Sequence, residues 1–154
     1  MTHTFSSPIG IVRLTEEGGA IIRIELTDTT DASTMPTPLL REAELQIMAY
    51  LEGKRKQLDV PIRMVGTPFQ QRVWRALQQI PYGTTCTYGE IATAIGNPRA
   101  SRAVGMACNK NPLLLIVPCH RVVGANGKLT GFAYGTSAKQ WLLEMERKTL
   151  LNKE

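Results

Sequence analysis

Two short stretches near the N-terminus alternate or cluster apolar residues in the manner of β-strands. Residues 9–15 (IGIVRLT) and 20–26 (AIIRIEL) are rich in β-branched side chains, which favour extended backbone. The connection EEGG supplies two glycines, and glycine tolerates the positive φ angles of a tight turn. The pattern therefore predicts a β-hairpin.

A helical period follows a polar loop that spans residues 27–38. Thr37 is a good N-cap and Pro38 suits the first helical position, while Gly53 ends the periodic segment. The apolar face consists of Leu40, Ala43, Ile47, Met48 and Leu51. The next apolar run, LDVPI at residues 58–62, contains a proline and predicts a short edge strand. Residues 1–66 thus form a small N-terminal α/β domain in this interpretation.

A second helix is expected from Thr67-Pro68, where Gln70 can complete a capping box. Its apolar stripe consists of Phe69, Val73, Leu77 and Ile80. Residues 67–154 are predicted to form a second, mainly helical domain, so the fold class is α/β (α+β).

Two short helices separated by a glycine are predicted between residues 88 and 110. The first has the apolar positions Ile91, Ala92 and Ile95, and Gly96 ends it. Asn97 and Pro98 are expected to cap and begin the second, whose apolar positions are Ala100, Ala103, Val104 and Ala107. This arrangement fits a helix-turn-helix, although an ordinary helical hairpin has the same pattern.

Small residues dominate the second of these helices, and Arg102 is the one large polar residue that points away from its packed face. Helices that recognise sequence in the major groove present several long hydrogen-bonding side chains. A small-faced helix with one arginine instead fits a minor groove, where little sequence is recognised. The helix therefore predicts DNA binding without sequence specificity.

The C-terminal part contains LLLIVPCHRVVG, a tight-turn signal at Asn126-Gly127 and a final helix over residues 137–148. The helix is expected to bury Ala138, Trp141, Leu142 and Met145. Helical spacing places Glu146 beside leucines and Glu144 on the opposite side. Glu146 is therefore the acidic residue expected to be partly buried and paired.

Charge is distributed unevenly along the chain, whose formal net charge is +5. Residues 1–66 carry 7 Lys and Arg against 9 Asp and Glu, a net charge of −2. Residues 67–154 carry 11 against 4, a net charge of +7. A basic C-terminal half favours contact with a polyanion such as nucleic acid, although a basic soluble surface is the alternative.

Composition is that of an ordinary globular protein, with 43% hydrophobic and 20% charged residues and no apolar run of membrane-spanning length. The N-terminal residues lack the pattern of a signal peptide, which predicts a cytoplasmic protein. Three cysteines without a CxxC pair predict reduced thiols and no structural zinc or other metal site.

Cys119 and His120 are adjacent in IVPCHRVVG, and Arg121 follows them. A lone cysteine in an apolar run is usually an inert core residue. A neighbouring imidazole or positive charge lowers a thiol's pKa and favours the nucleophilic thiolate. Since adjacent side chains of extended backbone point to opposite faces, proton transfer to His120 would need a bridging water. Glu146 could orient the imidazole or form a surface salt bridge, and spacing leaves both possibilities open.

Four segments together resemble the O6-alkylguanine-DNA alkyltransferase family in order and spacing. They are PYGTTCTYGEIA, GNPRASRAVGMACNKNP, IVPCHRVVGANGKLTG and KQWLLEME. The resemblance is specific over residues 67–147 and loose over the first 66. It implies direct-reversal DNA repair, in which an O6-alkylated guanine, or an O4-alkylated thymine, is flipped out of the helix. The cysteine then takes the alkyl group irreversibly in a single turnover that needs no cofactor.

Roles for individual residues are implied by the same resemblance. Cys119 is the acceptor, His120 the base acting through water, and Glu146 the residue that holds His120. Arg102 and Ser101 lie on the DNA-binding helix, and Arg102 fills the space of the flipped base. Tyr88 crowds the 3′ phosphate and assists protonation of the leaving group.

Further residues are assigned by the resemblance to support and to the substrate pocket. Asn111 is a hinge residue, and Arg121 braces the site. The pocket residues are Val122, Phe132, Ala133, Tyr134, Cys108 and Lys139. Backbone carbonyls of Cys119 and Val122 would accept hydrogen bonds from the guanine amino group, and residues 131–135 would close over the base.

The implied partner is double-stranded DNA containing O6-alkylguanine, which the protein binds through the minor groove. The protein is expected to act as a monomer and not to associate with a membrane. Two alternatives stay open from the residues. One is a DNA-binding protein that recognises lesions or regulates transcription without reacting. The other is a cysteine hydrolase that uses Cys119 and His120, although sequence-adjacent partners and a basic helix-turn-helix argue against it.

Overall fold

The computed structural model of the chain describes residues 1–31, 35–129 and 132–152. These residues form two compact units. The first comprises Met1–Val65 together with Pro112–Ile116, and the second comprises Gly66–Asn111 and Val117–Glu154. The sequence predicted a single boundary at residue 66. The first unit also contains residues 112–116, which the sequence had assigned to the second domain.

The first unit is built on a three-stranded antiparallel sheet, β1 (Thr2–Ser7), β2 (Gly10–Glu17) and β3 (Ala20–Thr27), in the order β1-β2-β3. The predicted hairpin is β2–β3, and Gly18 and Gly19 adopt φ angles of 59° and 76° in its turn. The polar sequence THTFSS gave no strand signal, yet β1 pairs with β2 along all six of its residues.

Helix α1 (Pro38–Leu51) lies against this sheet and begins where the sequence predicts. The Thr37 hydroxyl accepts a hydrogen bond from the Leu40 amide, and Pro38 occupies the first turn. The core of the unit is formed by side chains from the sheet and from α1: Val12, Leu14, Ile21, Ile24, Leu40, Ile47 and Tyr50. The strand predicted over residues 58–62 is wrong, because only Ile62 forms an isolated bridge, with Ile21.

The second unit is mainly helical and contains α2 (Pro68–Leu77), α3 (Tyr88–Ala94), α4 (Ser101–Asn109) and α5 (Thr136–Leu151). The predicted capping box at the start of α2 is present, with Thr67 and Gln70 bonded reciprocally. Trp74 is fully buried and donates from its indole nitrogen to the Ala107 carbonyl at 2.9 Å. This bond anchors α4 to α2 and fixes the position of the helix that the sequence assigns to DNA.

Helices α3 and α4 pack on each other with a short turn between them, as a helix-turn-helix requires. The start of α4 differs from the prediction. Asn97 and Pro98 belong to a turn closed by the Ala100 amide on the Asn97 carbonyl at 3.0 Å. Helical backbone begins only at Ser101, so Arg102 lies in the first turn of α4 instead of its middle.

Two short strands, β4 (Cys86–Thr87) and β5 (Val122–Val123), pair in parallel beside the helices. Asn126-Gly127 forms the predicted tight turn, with Gly127 at φ 76° and its amide bonded to the Gly124 carbonyl. β5 pairs with β4, so no hairpin forms about this turn in the residues that the structure describes. The predicted α/β class is correct. None of the described helices has the length and apolar character needed to span a bilayer.

Candidate active site

The segment with the adjacent cysteine and histidine is not extended, contrary to the prediction. Cys119–Arg121 form one turn of 3₁₀ helix, in which the Arg121 amide donates to the Pro118 carbonyl at 2.9 Å. A 3₁₀ turn rotates successive side chains by about 120°. Cys119 and His120 therefore still point in different directions and have different partners, Asn111 for the thiol and Glu146 for the imidazole.

Cys119 is buried, with 5% of its surface exposed, and its thiol has a polar partner. The Asn111 side-chain nitrogen donates to the Cys119 sulfur at 3.2 Å and to the Val117 carbonyl at 2.8 Å. Asn111 lies two residues beyond the end of α4, and its own amide donates to the Cys108 carbonyl. One amide side chain thus connects the end of the helix-turn-helix to the thiol, at the residue that the resemblance assigned to a hinge.

Burial raises the pKa of the Cys119 thiol, whereas the Asn111 hydrogen bond and the positive charge of Lys139 act in the opposite direction. The expectation that the neighbours of Cys119 lower its pKa overall is therefore wrong for the resting protein, because desolvation outweighs them. The thiol holds its proton at neutral pH, and Asn111 and Lys139 stabilise the thiolate once it forms.

Lys139 is fully buried near the start of α5. Its ammonium nitrogen lies 5.9 Å from the centroid of the Tyr88 ring and 6.0 Å from that of Phe132, within cation–π range. Burial lowers the pKa of Lys139, and the thiols Cys119 and Cys108 oppose that shift. The lysine assigned to the pocket by resemblance is therefore a buried cation next to the acceptor thiol.

His120 and Glu146 form the pair that helical spacing left undecided. His120 Nε2 lies 2.7 Å from Glu146 Oε2, and both side chains are fully buried. The surface salt bridge is excluded by this burial, whereas Glu144 is exposed on the same helix. Burial lowers the pKa of His120 in spite of the carboxylate, so the imidazole is neutral at pH 7 and able to accept a proton.

Arg121 completes the buried network around Glu146. Its Nε and Nη2 donate to the two carboxylate oxygens at 2.9 Å each, and its Nη1 donates to the Ile80 carbonyl. The Gly83 amide donates to Glu146 Oε1 at 3.0 Å. Burial alone would raise the pKa of Glu146, but the bonds from His120 and Arg121 bring it to about 2. The carboxylate is therefore ionised at every physiological pH.

Gly83 is required where the chain passes α5. It adopts φ 79°, and a Cβ at this position would lie 2.1 Å from the Leu150 Cδ1 atom. A side chain here would strain the left-handed backbone and force the Leu150 side chain to move.

The buried face of α5 differs from the predicted one by a rotation of about one residue. Its buried residues are Lys139, Leu142, Leu143 and Glu146, whereas Ala138, Trp141 and Met145 are only half-buried. These four follow the spacing i, i+3, i+4 and i+7. A charged residue occupies each end of the stripe, so one helix supplies the cation near the thiol and the carboxylate behind the histidine.

The aromatic residues expected to cover the substrate lie just before α5. Phe132 is buried, Ala133 is exposed and Tyr134 is half-buried. The Phe132 and Tyr134 rings meet edge to face, with centroids 5.7 Å apart. Gly131, the first residue of the expected lid, lies outside the described residues.

Two further pocket residues lie in the core of the same unit. Val122 is fully buried in β5, and its amide donates to the Cys119 carbonyl, which keeps a second lone pair for a ligand. Cys108 is buried on α4, where burial, followed by the nearby Cys119, raises its pKa to about 12. Cys108 is therefore a neutral thiol that does not compete as a nucleophile.

The residues assigned to DNA are on the surface of the second unit. Ser101 and Arg102 are exposed in the first turn of α4. Tyr88, half-buried at the start of α3, lies against Gly105, where an added Cβ would be 3.8 Å from the ring. Tyr88 thus lies between α4 and Lys139.

Metal ligation is not supported in the described part of the chain, where no three His, Cys, Asp or Glu side chains cluster closely enough to hold an ion.

A family comparison matches residues 68–148 to the DNA-binding domain of 6-O-methylguanine DNA methyltransferase. A methylated-DNA–protein-cysteine methyltransferase of Methanosarcina acetivorans is 50% identical over 148 residues, which cover 92% of this chain and 95% of the relative. A constitutive enzyme of the same name in Bacillus subtilis is 42% identical, with 94% of this chain and 93% of the relative covered. The family resemblance drawn from the four sequence segments is confirmed.

Solved structures agree with the sequence relatives. A crystal structure of Mycobacterium tuberculosis OGT in complex with DNA superposes with a TM-score of 0.87 at 45% identity, covering 96% of this chain and 93% of that one. The fold of the whole chain, including its N-terminal unit, is therefore that of these structures.

Proposed function

Because the chain belongs to the 6-O-methylguanine DNA methyltransferase family, we propose that it repairs alkylated DNA by moving an alkyl group from guanine O6 to its own Cys119. The observation that carries this proposal is the position of the Cys119 thiol. The thiol is buried next to Lys139 and is bonded through Asn111 to the end of a helix-turn-helix. Acceptor and DNA-binding element therefore belong to one compact unit.

The reaction is a single displacement at the alkyl carbon. The Cys119 sulfur forms the new carbon–sulfur bond, and the bond between that carbon and guanine O6 breaks. The thiol proton passes to His120 through a water molecule, and the departing guanine takes up a proton as the bond between its O6 and the alkyl carbon breaks. Thiol and alkylguanine are thereby converted to thioether and guanine without any oxidant or reductant.

The buried network supplies the base for this step. His120 is neutral, since burial lowers its pKa, and Glu146 orients the ring and stabilises the imidazolium that forms. Arg121 holds the carboxylate from the other side and has no role in contacting substrate. Because the 3₁₀ turn directs Cys119 and His120 apart, the proton passes through water.

Lys139 and Asn111 favour the thiolate at the moment of attack. Both act on the sulfur in a desolvated pocket, where a charge and a hydrogen bond are worth more than in water. The resting thiol is protonated, and the nucleophilic thiolate forms when the flipped nucleobase enters the pocket.

DNA is the partner of this protein, and we infer that α4 enters the minor groove without reading sequence. Exposed Ser101 and the small residues of α4 allow close approach, and Arg102 fills the stack after the base flips. Tyr88 lies beside α4, where its ring crowds the 3′ phosphate and its hydroxyl can protonate the leaving group. The flipped base is held by the carbonyls of Cys119 and Val122 and covered by residues 132–135.

The thioether product is a poor alkyl donor, so one molecule repairs one lesion and no cofactor takes part. O6-alkylguanine is the main substrate and O4-alkylthymine the second. The protein acts as a monomer in the cytoplasm.

Intact-mass spectrometry after incubation with duplex DNA containing O6-methylguanine tests the proposal. We expect a stoichiometric gain of 14 Da, one methylene equivalent, localised to Cys119. Cys119→Ala should gain no mass and still bind the duplex, and Cys86→Ala should be labelled like the wild type. Binding without any gain of mass in the wild type would instead identify a non-reacting lesion sensor.

A further inference from the structure

Helix α4 exposes one large apolar side chain that the proposed repair mechanism does not use. Met106 is 67% exposed, and the other exposed residues of this helix, all of which is described, are polar: Ser101, Arg102 and Asn109. A single exposed apolar side chain is common on protein surfaces, so the inference depends on the position of Met106 among the residues assigned to DNA.

Met106 lies on the same side of α4 as Arg102. The two residues are four apart, which stacks their side chains one helical turn from each other along the axis. Four residues of α-helix rise by about 6 Å, close to two base steps of about 3.4 Å each. A helix that places Arg102 in the base stack therefore brings Met106 to the groove wall of a nearby nucleotide.

Met106 also forms one side of a shallow groove with a volume of 240 Å³. The groove is lined by Ala103, Ala107 and Lys110 on the α4 side and by Thr67, Phe69 and Gln70 at the start of α2. Lys110 is exposed and directly follows α4. The apolar side chain thus lies between two cations, Arg102 at one end of the helix and Lys110 at the other.

We propose that Met106 is an apolar DNA contact that packs against the deoxyribose edges lining the minor groove, one turn from Arg102. This inference rests on the minor-groove binding proposed above and names a determinant of duplex affinity within it. Sugar C–H groups form the walls of that groove, and methionine is among the residues that minor-groove proteins press into it.

The positive charge around Met106 favours DNA over a protein as the partner of this surface. Arg102 and Lys110 flank Met106, and residues 67–154 carry a net charge of +7. A strip in which cations bracket a single apolar side chain matches the alternation of phosphate and sugar along a nucleic-acid strand. Lys110 then supplies the phosphate contact and Met106 the sugar contact.

Three substitutions among residues of similar helix propensity separate these contributions. Met106→Leu keeps an apolar side chain, Met106→Gln replaces it by a polar one, and Lys110→Gln removes the adjacent charge. Leu151→Gln changes a leucine that is 76% exposed at the end of α5 and serves as the matched control. The affinity for an unmodified duplex is measured by fluorescence anisotropy between 50 and 200 mM salt, together with transfer rates from duplex and from free O6-benzylguanine.

We expect Met106→Gln to weaken duplex binding by about tenfold, because an apolar contact is lost, and to leave the salt dependence unchanged. Met106→Leu should bind within about twofold of the wild type on the same reasoning. Lys110→Gln should reduce the slope of log affinity against log salt by about 1, as expected for one phosphate contact. Transfer from the free base should be the same in all variants.

Three results would overturn the inference. Met106→Gln could bind the duplex as tightly as the wild type, which would leave the groove to a protein partner. It could change the salt slope, or it could slow transfer from the free base as much as from duplex, which would indicate a disturbed pocket or fold. Failure of the proposed repair activity is separable, because it would appear as an unlabelled wild type while the binding assay still tests Met106.

Discussion

His120 Nε2 lies 2.7 Å from Glu146 Oε2, and neither side chain is exposed to solvent. The same carboxylate accepts two hydrogen bonds from Arg121. One buried negative charge therefore binds both an imidazole and a guanidinium in the second unit. A buried carboxylate is costly unless such partners compensate for its lost hydration. The position of His120 and the stability of this unit therefore depend on the ionisation of Glu146.

Stability should fall as the pH is lowered through the titration of Glu146. The pKa of this carboxyl is about 2 in the folded protein and 4.5 without the fold. Since the folded pKa is depressed, the ionised group stabilises the protein fully above pH 4.5 and loses that contribution progressively towards pH 2. The difference amounts to roughly 3 kcal/mol in the free energy of unfolding. Urea denaturation between pH 2 and 7 measures it.

Glu146→Gln and Glu144→Gln provide the comparison. The amide in place of Glu146 leaves Arg121 without its carboxylate, so we expect a loss of about 3–5 kcal/mol at pH 7 that shrinks in acid. Glu144 is exposed, and its replacement should change little. Equal pH profiles for the wild type and Glu146→Gln would show that another group controls acid stability.

Local signals in the sequence predicted the elements that local chemistry determines. Thr37 and Thr67 begin α1 and α2 as expected, because a capping side chain bonds amides only two or three residues away. The hairpin β2–β3 follows from its two glycines in the same way. Helical spacing sets Glu146 among leucines and so predicted its burial, but it did not decide whether the carboxylate pairs with His120 or with a surface cation.

Features that depend on distant partners could not be predicted. The rotation of α5 that buries Lys139 places its ammonium within cation–π range of Tyr88 and Phe132, which lie on other segments. The polar strand β1 exists because β2 offers it a full ladder of backbone bonds. The raised pKa of Cys119 reflects its burial by the whole unit, whereas the sequence displays only its charged neighbours.

Lys139 should control the ionisation of Cys119. Its charge is among the factors that favour the thiolate against burial, so Lys139→Met should raise the thiol pKa further. A smaller thiolate fraction at pH 7 should slow transfer from free O6-benzylguanine, and the deficit should shrink as the pH rises. The second-order rate as a function of pH measures this shift.

Lys139→Arg is the matched variant because it keeps the positive charge on a side chain of similar length. It should retain more of the neutral-pH rate than Lys139→Met and show a pH profile nearer to that of the wild type. A parallel loss at all pH values in Lys139→Met would mean that the lysine only shapes the pocket.

Arg102 should matter for duplex DNA and not for the chemical step. It is exposed in the first turn of α4, apart from the buried contacts of Cys119. Flipping a base costs a few kcal/mol of unstacking, part of which an inserted arginine offsets. Arg102→Ala should therefore slow duplex repair by about tenfold to a hundredfold and leave transfer from the free base unchanged. Arg75→Ala, which removes the same charge from α2, is the control, and equal losses on both substrates would refute the role.

Tyr134 should set the size of the alkyl group that the pocket accepts. The ring meets Phe132 edge to face at 5.7 Å, so two aromatic side chains fill the segment before α5. Glycine at this position would leave room next to the alkyl group. Overfilling a packed site costs roughly 1–3 kcal/mol, or about one to two decades in rate if felt in the transition state. Methyl transfer should therefore be preferred over benzyl transfer.

Second-order rates for methyl and benzyl adducts of O6-alkylguanine, measured on the wild type and on Tyr134→Gly, test this preference. The variant should gain more in benzyl transfer than in methyl transfer, because only the larger group meets the tyrosine ring. Tyr134 is half-buried, so the opposite arrangement is also physically open to it: the ring could turn outward and stack on a benzyl group. A benzyl-to-methyl ratio that falls in Tyr134→Gly would show that the ring assists the larger substrate instead of excluding it.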